Sequence, residues 1–312
     1  MTPQEWSWTT ADGLRMHAST RLPQGRPRTV IALLHGLGSH GERLATAAEA
    51  LSAAGHAVSS FDQRGFGRSQ GLRGHTPSLQ AYLDDIRRFL LLLARRHPGL
   101  PLVLYGHSMG GVLALASCNG LSPLPAAVIA TSPGLSSRVA EQRFKRLLVR
   151  ALGRLLPWLP LDSGLDLSQL SRDPGVQASV AADPLCHRTV TTAWGLALLQ
   201  AIALAESGAC RFPVPLLLLH GTDDAIAYAS GSVRFAAAAP AGRVTLKLWE
   251  GFRHELHTDP ERQAVFTWMV RWLEQTLAGS PGERGLADAG GCSDQQPPGD
   301  DLPRLQIRPG GA

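Results

Sequence analysis

Four short stretches of this chain are apolar almost without interruption: residues 29–34, 102–105, 126–130 and 216–219. A strand with one wet face alternates polar and apolar side chains. A run without alternation predicts a strand buried on both faces, as in a parallel sheet covered by helices. Residues 57–61 and 244–249 read as two further strands. Residues 6–10 and 14–20 alternate weakly around Asp12-Gly13, a turn pair that predicts a hairpin.

Between the strands the period changes to that of a helix. Residues 42–54 are rich in Ala and stop at Gly55. Thr76-Pro77 reads as an N-cap followed by a proline at the first helical position. Behind it Leu79, Leu83, Ile86, Leu90 and Leu93 form one stripe. Asp259-Pro260 repeats that start signal before Val265, Phe266, Met269, Val270 and Leu273. Strands and helices in alternation predict an α/β fold with a mostly parallel, doubly wound sheet.

The alternation breaks over residues 135–211, where no strand signal is evident. Ala140, Phe144, Leu147, Leu148, Ala151, Leu152 and Leu155 recur at steps of three and four. A second helix is predicted over residues 186–206. This stretch is expected to be a helical cap inserted into a core formed by residues 1–134 and 212–278. From residue 279 to 312 the chain is rich in Gly, Pro, Asp and Gln, too poor in apolar side chains to offset its ordering entropy, and is expected to be disordered.

Composition narrows the class. Of 312 residues, 44% are hydrophobic and 18% charged, a balance typical of a globular protein. The net charge of +5 is too mild to argue for nucleic acid. Four cysteines, Cys118, Cys186, Cys210 and Cys292, are scattered without zinc-type spacing, so neither a metal nor another cofactor is expected. The N-terminus lacks the basic-then-apolar pattern of a signal peptide, and no apolar run approaches the ~20 residues of a membrane span. A cytoplasmic location is the expectation.

The chemistry is concentrated at predicted strand ends. Residues 103–111 place a buried strand before Gly106-His107-Ser108-Met109-Gly110 and a helical pattern after it. Gly-x-Ser-x-Gly in that setting is the signature of a sharp strand-to-helix turn that lifts a serine hydroxyl above the sheet edge. The two glycines let neighbouring backbone pack against the turn, and the helix N-terminus favours negative charge there. His107 beside it is assigned no catalytic role. Strand 29–34 runs into His35-Gly36-Leu37-Gly38, a loop whose backbone N–H groups suit an oxyanion hole. The expected donors are Leu37 and Met109, the latter being the residue after the nucleophile.

A serine hydroxyl needs a base, and the base needs a carboxylate to fix its tautomer. Among 11 histidines, His254 follows the last strand most directly; His257 lies close behind. Strand 216–219 ends in His220-Gly221-Thr222-Asp223-Asp224, which offers two carboxylates. Asp62, in Asp62-Gln63-Arg64-Gly65-Phe66-Gly67-Arg68-Ser69, reads as a brace for a glycine-rich turn rather than as a second acid.

With these residues in place the chain resembles the α/β-hydrolase superfamily. More narrowly it is similar to the monoacylglycerol lipase and lysophospholipase branch, which is grouped with serine aminopeptidase-like hydrolases. Five ordered motifs carry the resemblance: residues 35–43, 62–71, 106–111, 221–224 and 251–255. The family's Gly-x-x-Asp spacing selects Asp224 over Asp223. The resemblance implies a triad of Ser108, Asp224 and His254, with Leu37 and Met109 as oxyanion donors. It also implies a mobile helical cap over residues 135–211, with Asp183-Pro184-Leu185 as a recurring piece near its end. The implied substrate is a small-molecule ester, above all a monoacylglycerol or other single-chain lipid. A lysophospholipase, a thioesterase, an aminopeptidase or a binding protein with a silenced triad would use the same frame.

One feature of the cap adds a partner. Arg138, Arg143, Lys145, Arg146, Arg150 and Arg154 stand against Glu141 alone, and an apolar stripe runs beside them into Leu155, Leu156, Trp158 and Leu159. A basic amphipathic helix ending in Leu and Trp suits an anionic lipid interface, which would make the protein peripheral to a membrane.

Overall fold

The computed structural model describes residues 2–137 and 142–278. The expected disordered tail at 279–312, and the part of the first cap helix at 138–141, lie outside the described residues.

Eight strands form one sheet in the order β1-β2-β4-β3-β5-β6-β9-β10. The hairpin β1 (Gln4–Thr9) and β2 (Arg15–Arg21) is antiparallel, and β2 runs antiparallel to β4 (Ala57–Phe61). The remaining pairs are parallel: β3 (Val30–Leu34), β5 (Leu102–His107), β6 (Ala127–Thr131), β9 (Leu216–Gly221) and β10 (Val244–Trp249). Parallel strands end at the same edge of a sheet, so the loops after β3, β5, β9 and β10 emerge together.

Each apolar run divides between two cores. Val30, Ala32, Leu34, Leu104, Val128, Ala130, Leu216 and Leu218 face helices α2 (Leu79–Arg96) and α3 (Met109–Ser117). Ile31, Leu33, Val103, Tyr105, Ile129, Leu217 and Leu219 face the opposite side. There they meet α1 (Ala45–Ala53) and, at the chain's last described helix, Val265, Phe266, Met269 and Leu273. Burial on both faces is why these strands lack polar alternation. Each fully buried Leu contributes roughly 1.5–3 kcal/mol, so the central strands anchor the domain.

Two helix starts differ from expectation. Ser78, not Thr76, caps α2, accepting from the Ala81 N–H at 3.2 Å. Thr76 instead donates its hydroxyl to Ser78 O at 2.8 Å, shaping the turn one step earlier. Residues 41–44 form a 3-10 turn ahead of α1.

The segment between β6 and β9 holds α4 (Arg143–Leu155), α5 (Pro174–Ala182) and α6 (Thr192–Gly208). It is not purely helical as expected: β7 (Pro160–Asp162) pairs antiparallel with β8 (Thr189–Thr191). The second helix also starts later than residue 186, because β8 occupies that stretch and Thr191 caps α6. Helix α6 packs on α3 and α4, its small residues Ala197, Ala201 and Ala205 allowing close approach. With the turn after it, Thr192–Arg211 is long and apolar enough to cross a membrane by length and composition, yet half of it is buried inside the fold. After β9 come α7 (Ala229–Ala238) and, following β10, α8 (Arg262–Ala278).

Candidate active site

Ser108 stands where β5 turns into α3, with φ +55° and ψ −117°, a conformation that L-residues avoid. The turn is held from several sides. Ser108 N–H donates to Thr131 O at 2.9 Å, while its carbonyl accepts from Val112 N–H at 3.1 Å and Gly134 N–H at 3.3 Å. The flanking glycines are sterically required. A Cβ on Gly106 would run into Gly110 O, and one on Gly110 into Leu34 O.

The loops after β9 and β10 bring the acid and the base to this point. Ser108 O–H donates to His254 Nε2 at 2.8 Å, and His254 Nδ1–H donates to Asp224 Oδ2 at 2.7 Å. The other Asp224 oxygen accepts from the backbone N–H groups of Ile226 and Ala227, both at 2.9 Å. Asp223, its exposed neighbour, turns away and accepts from Thr222 Oγ1 at 3.3 Å.

Electrostatics match the geometry. Burial alone would lower the His254 pKa, but the charge of Asp224 and its hydrogen bond outweigh burial and leave it raised. Burial would likewise raise Asp224, yet His254 and His220 hold it well below the usual carboxylate range. The assembly therefore carries a carboxylate that stays ionised and an imidazole ready to accept a proton.

His257 joins a cluster with His107 and His254 instead of replacing His254. His107 lies 5.0 Å ring to ring from His254 and 4.8 Å from His257. Burial lowers His257 to about 3 and His107 well below its ordinary value, so both are neutral walls of the site. His107 also hydrogen-bonds Thr131 Oγ1 through Nδ1 at 3.1 Å.

The loop after β3 lies against Ser108: a Cβ on Gly36 would sit 3.3 Å from Ser108 Cβ. Its shape is fixed by His35, which burial brings to about pKa 4 and keeps neutral. His35 Nδ1–H donates to Gly36 O at 2.8 Å and Nε2 accepts from Gln63 N–H at 2.8 Å. The N–H groups of Leu37 and Met109 have no acceptor among the described residues. Asp62 acts as the turn brace expected, accepting from Gly41 N–H at 2.7 Å and Arg68 N–H at 2.8 Å.

Three participants were not foreseen. His220, at the end of β9, places Nε2 3.2 Å from Asp224 Oδ2 and 2.8 Å from Ala227 O, while Nδ1 meets Ser232 Oγ at 2.8 Å. Donation to Ala227 O requires a proton on Nε2, so Nδ1 accepts from Ser232. A cavity of about 70 Å³ lies over Ser108 and His254, and Arg43 and Glu255, 4.0 Å apart, line it with Leu170. A second cavity of about 270 Å³ shares those three side chains and extends along Leu165, Leu167 and Val180 of the inserted segment. His220 had a signal in its place beside the acid motif. Arg43 and Glu255 close two of the motifs that carry the resemblance, but nothing local marks their pairing, which spans distant parts of the chain.

Residues 25–261 match the family model described as serine aminopeptidase, S33. The chain is 32% identical over 279 residues to a monoacylglycerol lipase of Mycolicibacterium smegmatis, covering 88% of this chain and 99% of that protein. It is 31% identical to an uncharacterized abhydrolase domain-containing protein of Dictyostelium discoideum, covering 91% of this chain but spanning 30% of that longer protein. The crystal structure of Paleococcus ferrophilus monoacylglycerol lipase superposes with a TM-score of 0.75 at 30% identity, over 88% of this chain and 100% of that one. With sequence, fold and motif order in agreement, the chain belongs to the serine aminopeptidase S33 family of α/β-hydrolases, in its monoacylglycerol lipase-like branch, and is a hydrolase of the carboxylesterase and lipase type.

Proposed function

We propose that the protein hydrolyses monoacylglycerols or similar single-chain lipid esters through an acyl-enzyme on Ser108. The observation that carries this reading is the unbroken hydrogen-bonded chain from Ser108 through His254 to Asp224, at 2.8 and 2.7 Å.

Ser108 Oγ attacks the ester carbonyl while His254 Nε2 takes the hydroxyl proton. The carbonyl oxygen becomes an oxyanion, received by the N–H groups of Leu37 and Met109. Collapse breaks the bond to the alcohol oxygen, which leaves with the proton from His254. Water then attacks the acyl-enzyme with His254 again as base, and the second collapse returns Ser108 and releases the fatty acid. Asp224 holds the His254 tautomer and balances the charge that appears on it.

The two cavities suit the two ends of such a substrate. Arg43, Glu255 and Ser39 offer hydrogen bonds to a hydroxyl-rich alcohol, and Leu165, Leu167, Leu170 and Val180 offer an apolar path for one acyl chain. The monoacylglycerol lipase of Mycolicibacterium smegmatis supports the same substrate class. Arg43 and Arg188 on the larger cavity also favour a second reading, a lysophospholipid whose phosphate they would meet.

Partial burial of α4 supports a lipid interface. Val149 and Gly153 pack against Gly195 and Leu196 of α6, whereas Leu147, Leu148 and Leu155 are 63%, 47% and 76% exposed and Trp158 is 69% exposed. Arg150 and Arg154, also exposed, flank this apolar face, a pairing suited to an anionic bilayer. The protein would then sit peripherally on the membrane that holds its substrate.

Fluorophosphonate labelling tests the nucleophile. The wild-type protein should label and Ser108→Ala should not; labelling retained in Ser108→Ala would falsify the assignment. A panel of p-nitrophenyl esters, monoacylglycerols and lysophospholipids then ranks the substrates. The monoacylglycerol reading predicts the highest kcat/KM on that class.

A further inference from the structure

We propose that His40, Asp183 and Cys186 form a binding site for a thiophilic divalent cation of the zinc class, joining the inserted segment to the loop behind the oxyanion donors. One donor atom from each of the three side chains lies within 4.8 Å of the others. A neutral imidazole, a carboxylate and a thiolate are a donor set that zinc accepts, with a fourth position left for solvent.

Local structure aims these groups at one point. Asp183 and Cys186 belong to one tight turn, in which Cys186 N–H donates to Asp183 O at 3.1 Å and Leu185 N–H to Asp183 Oδ1 at 2.9 Å. The turn presents both side chains to His40, whose Nε2 lies 2.8 Å from Asp183 Oδ2. The second ring nitrogen of His40, Nδ1, is buried and has no hydrogen-bond partner. Cys186 lines the larger cavity, which gives a cation a path from solvent.

The fit requires a modest rearrangement. Bonds of about 2.0–2.3 Å in a tetrahedral zinc site hold ligands roughly 3.3–3.8 Å apart, so the widest spacing must close by up to about 1 Å, while His40 Nε2 and Asp183 Oδ2, now 2.8 Å apart, part by roughly 0.5 Å. Cys186 is at the partly exposed edge of its turn and can supply that movement. On binding, the Cys186 S–H bond breaks, its proton leaves to solvent and a sulfur–metal bond forms. His40 contributes a nitrogen lone pair and Asp183 an oxygen, and nothing is oxidised or reduced. Asp183 and Glu255 favour the incoming charge, and Arg43 opposes it.

The location gives the site leverage on the hydrolase. The residue after Cys186, His187, donates its N–H to Gly38 O at 3.0 Å, next to Leu37. A cation held by His40, Asp183 and Cys186 would clamp the inserted segment to that loop and slow substrates that need the segment to move.

The test uses the full-length protein, stripped with chelator and titrated with cobalt(II) as a spectroscopic stand-in for zinc. The expected result is one equivalent bound, with a thiolate-to-cobalt charge-transfer band that zinc abolishes by displacement. Cys186→Ser should lose the band, and Asp183→Asn should weaken binding at least tenfold, with both variants keeping wild-type circular dichroism. A band that survives in Cys186→Ser, or no band at millimolar cobalt, overturns the proposal. Fluorophosphonate labelling of Ser108 is read separately, so failure of the metal site leaves the hydrolase reading standing.

Discussion

His220 Nε2 lies 3.2 Å from Asp224 Oδ2, the same oxygen that receives the His254 N–H at 2.7 Å. The carboxylate thus has an imidazole on its reacting side and another holding it from the strand. His220 is a positioning residue, since it reaches the reaction through Asp224. His220→Leu should lower kcat by about tenfold with little change in KM, the scale of one hydrogen bond to a charged group. His220→Gln, which restores a donor, should recover most of it. An equal loss in both variants would count against the positioning role.

Asp224→Asn should leave the fold intact and reduce kcat by roughly 10³–10⁴-fold, because an amide favours the wrong His254 tautomer. Asp223→Asn should stay within about twofold of wild type, as Asp223 is exposed, its side chain meets only Thr222 Oγ1, and its backbone bond to Phe252 O is kept by asparagine. Steady-state kinetics on one short p-nitrophenyl ester compares the two directly. The reverse ranking would move the acid to Asp223.

Two pH trends should run together. His254 must be neutral to act as base, and its pKa is raised, so kcat/KM should climb with pH and reach half its plateau above the ordinary imidazole value of 6.5. Stability follows different groups. His35, His107 and His257 have lowered pKa values, so below about pH 6.5 the unfolded chain takes up protons that the folded one refuses. Each of the three therefore loses stability as pH falls from 6.5. The raised His254 acts in the opposite sense, favouring the fold below 6.5 and losing that contribution as pH rises through its folded value. Asp224, held low, stabilises above the carboxylate range and loses its share at more acid pH. His56, His75, His97 and His187 are also lowered and His17 is also raised, so with seven imidazoles held low against two held high Tm should drop between pH 6.5 and 4.5, and thermal melts showing a flat or rising Tm would contradict this balance.

Ser108→Gly should abolish activity yet raise stability. The left-handed backbone at φ +55° costs a side-chain-bearing residue about 1–3 kcal/mol, and glycine adopts it freely. Denaturant unfolding of Ser108→Gly and Ser108→Ala separates backbone strain from loss of the hydroxyl. Equal stability in the two would mean that the elbow is not strained.

Leu148→Glu and Leu155→Glu should cut sedimentation with anionic liposomes at least tenfold and leave turnover of a water-soluble ester unchanged. Both side chains are exposed on α4 and neither lines the cavities. Undiminished sedimentation of the double variant, or negligible binding of the wild type to all vesicles, would rule out the lipid interface.

The central sheet was legible because both faces of its strands are buried, which leaves a local mark at every position. The positions of Ser108, Asp224 and His254 were legible for a related reason: each follows a strand, buried for the first two and half-buried for β10, and parallel strand ends converge at one edge, while the spacing of the resemblance selected Asp224 over Asp223. What escaped was set by tertiary contact. The start of α2 passed to Ser78 because Thr76 spends its hydroxyl on Ser78 O. Strands β7 and β8 are three residues each and find one another across the length of the insertion, so neither carries a period. His220 stands beside the acid motif, but nothing local shows that its ring meets the carboxylate of Asp224 until the chain folds back.

Strands β6 and β9 lie side by side in register, Val128 beside Leu216 through Thr131 beside Leu219, although the whole inserted segment separates them along the chain. Because the two strands are parallel, the chain leaves β6 at the rim that carries Ser108 and must cross to the opposite edge before it enters β9, and α6, packed on α3, makes that crossing. The stretch between β6 and α6 can therefore be exchanged while α6 stays, with the sheet and Ser108, His254 and Asp224 left where they stand. Selection can thus change what lies over the rim without disturbing what lies beneath it, and an engineer can do the same with a graft that ends at α6.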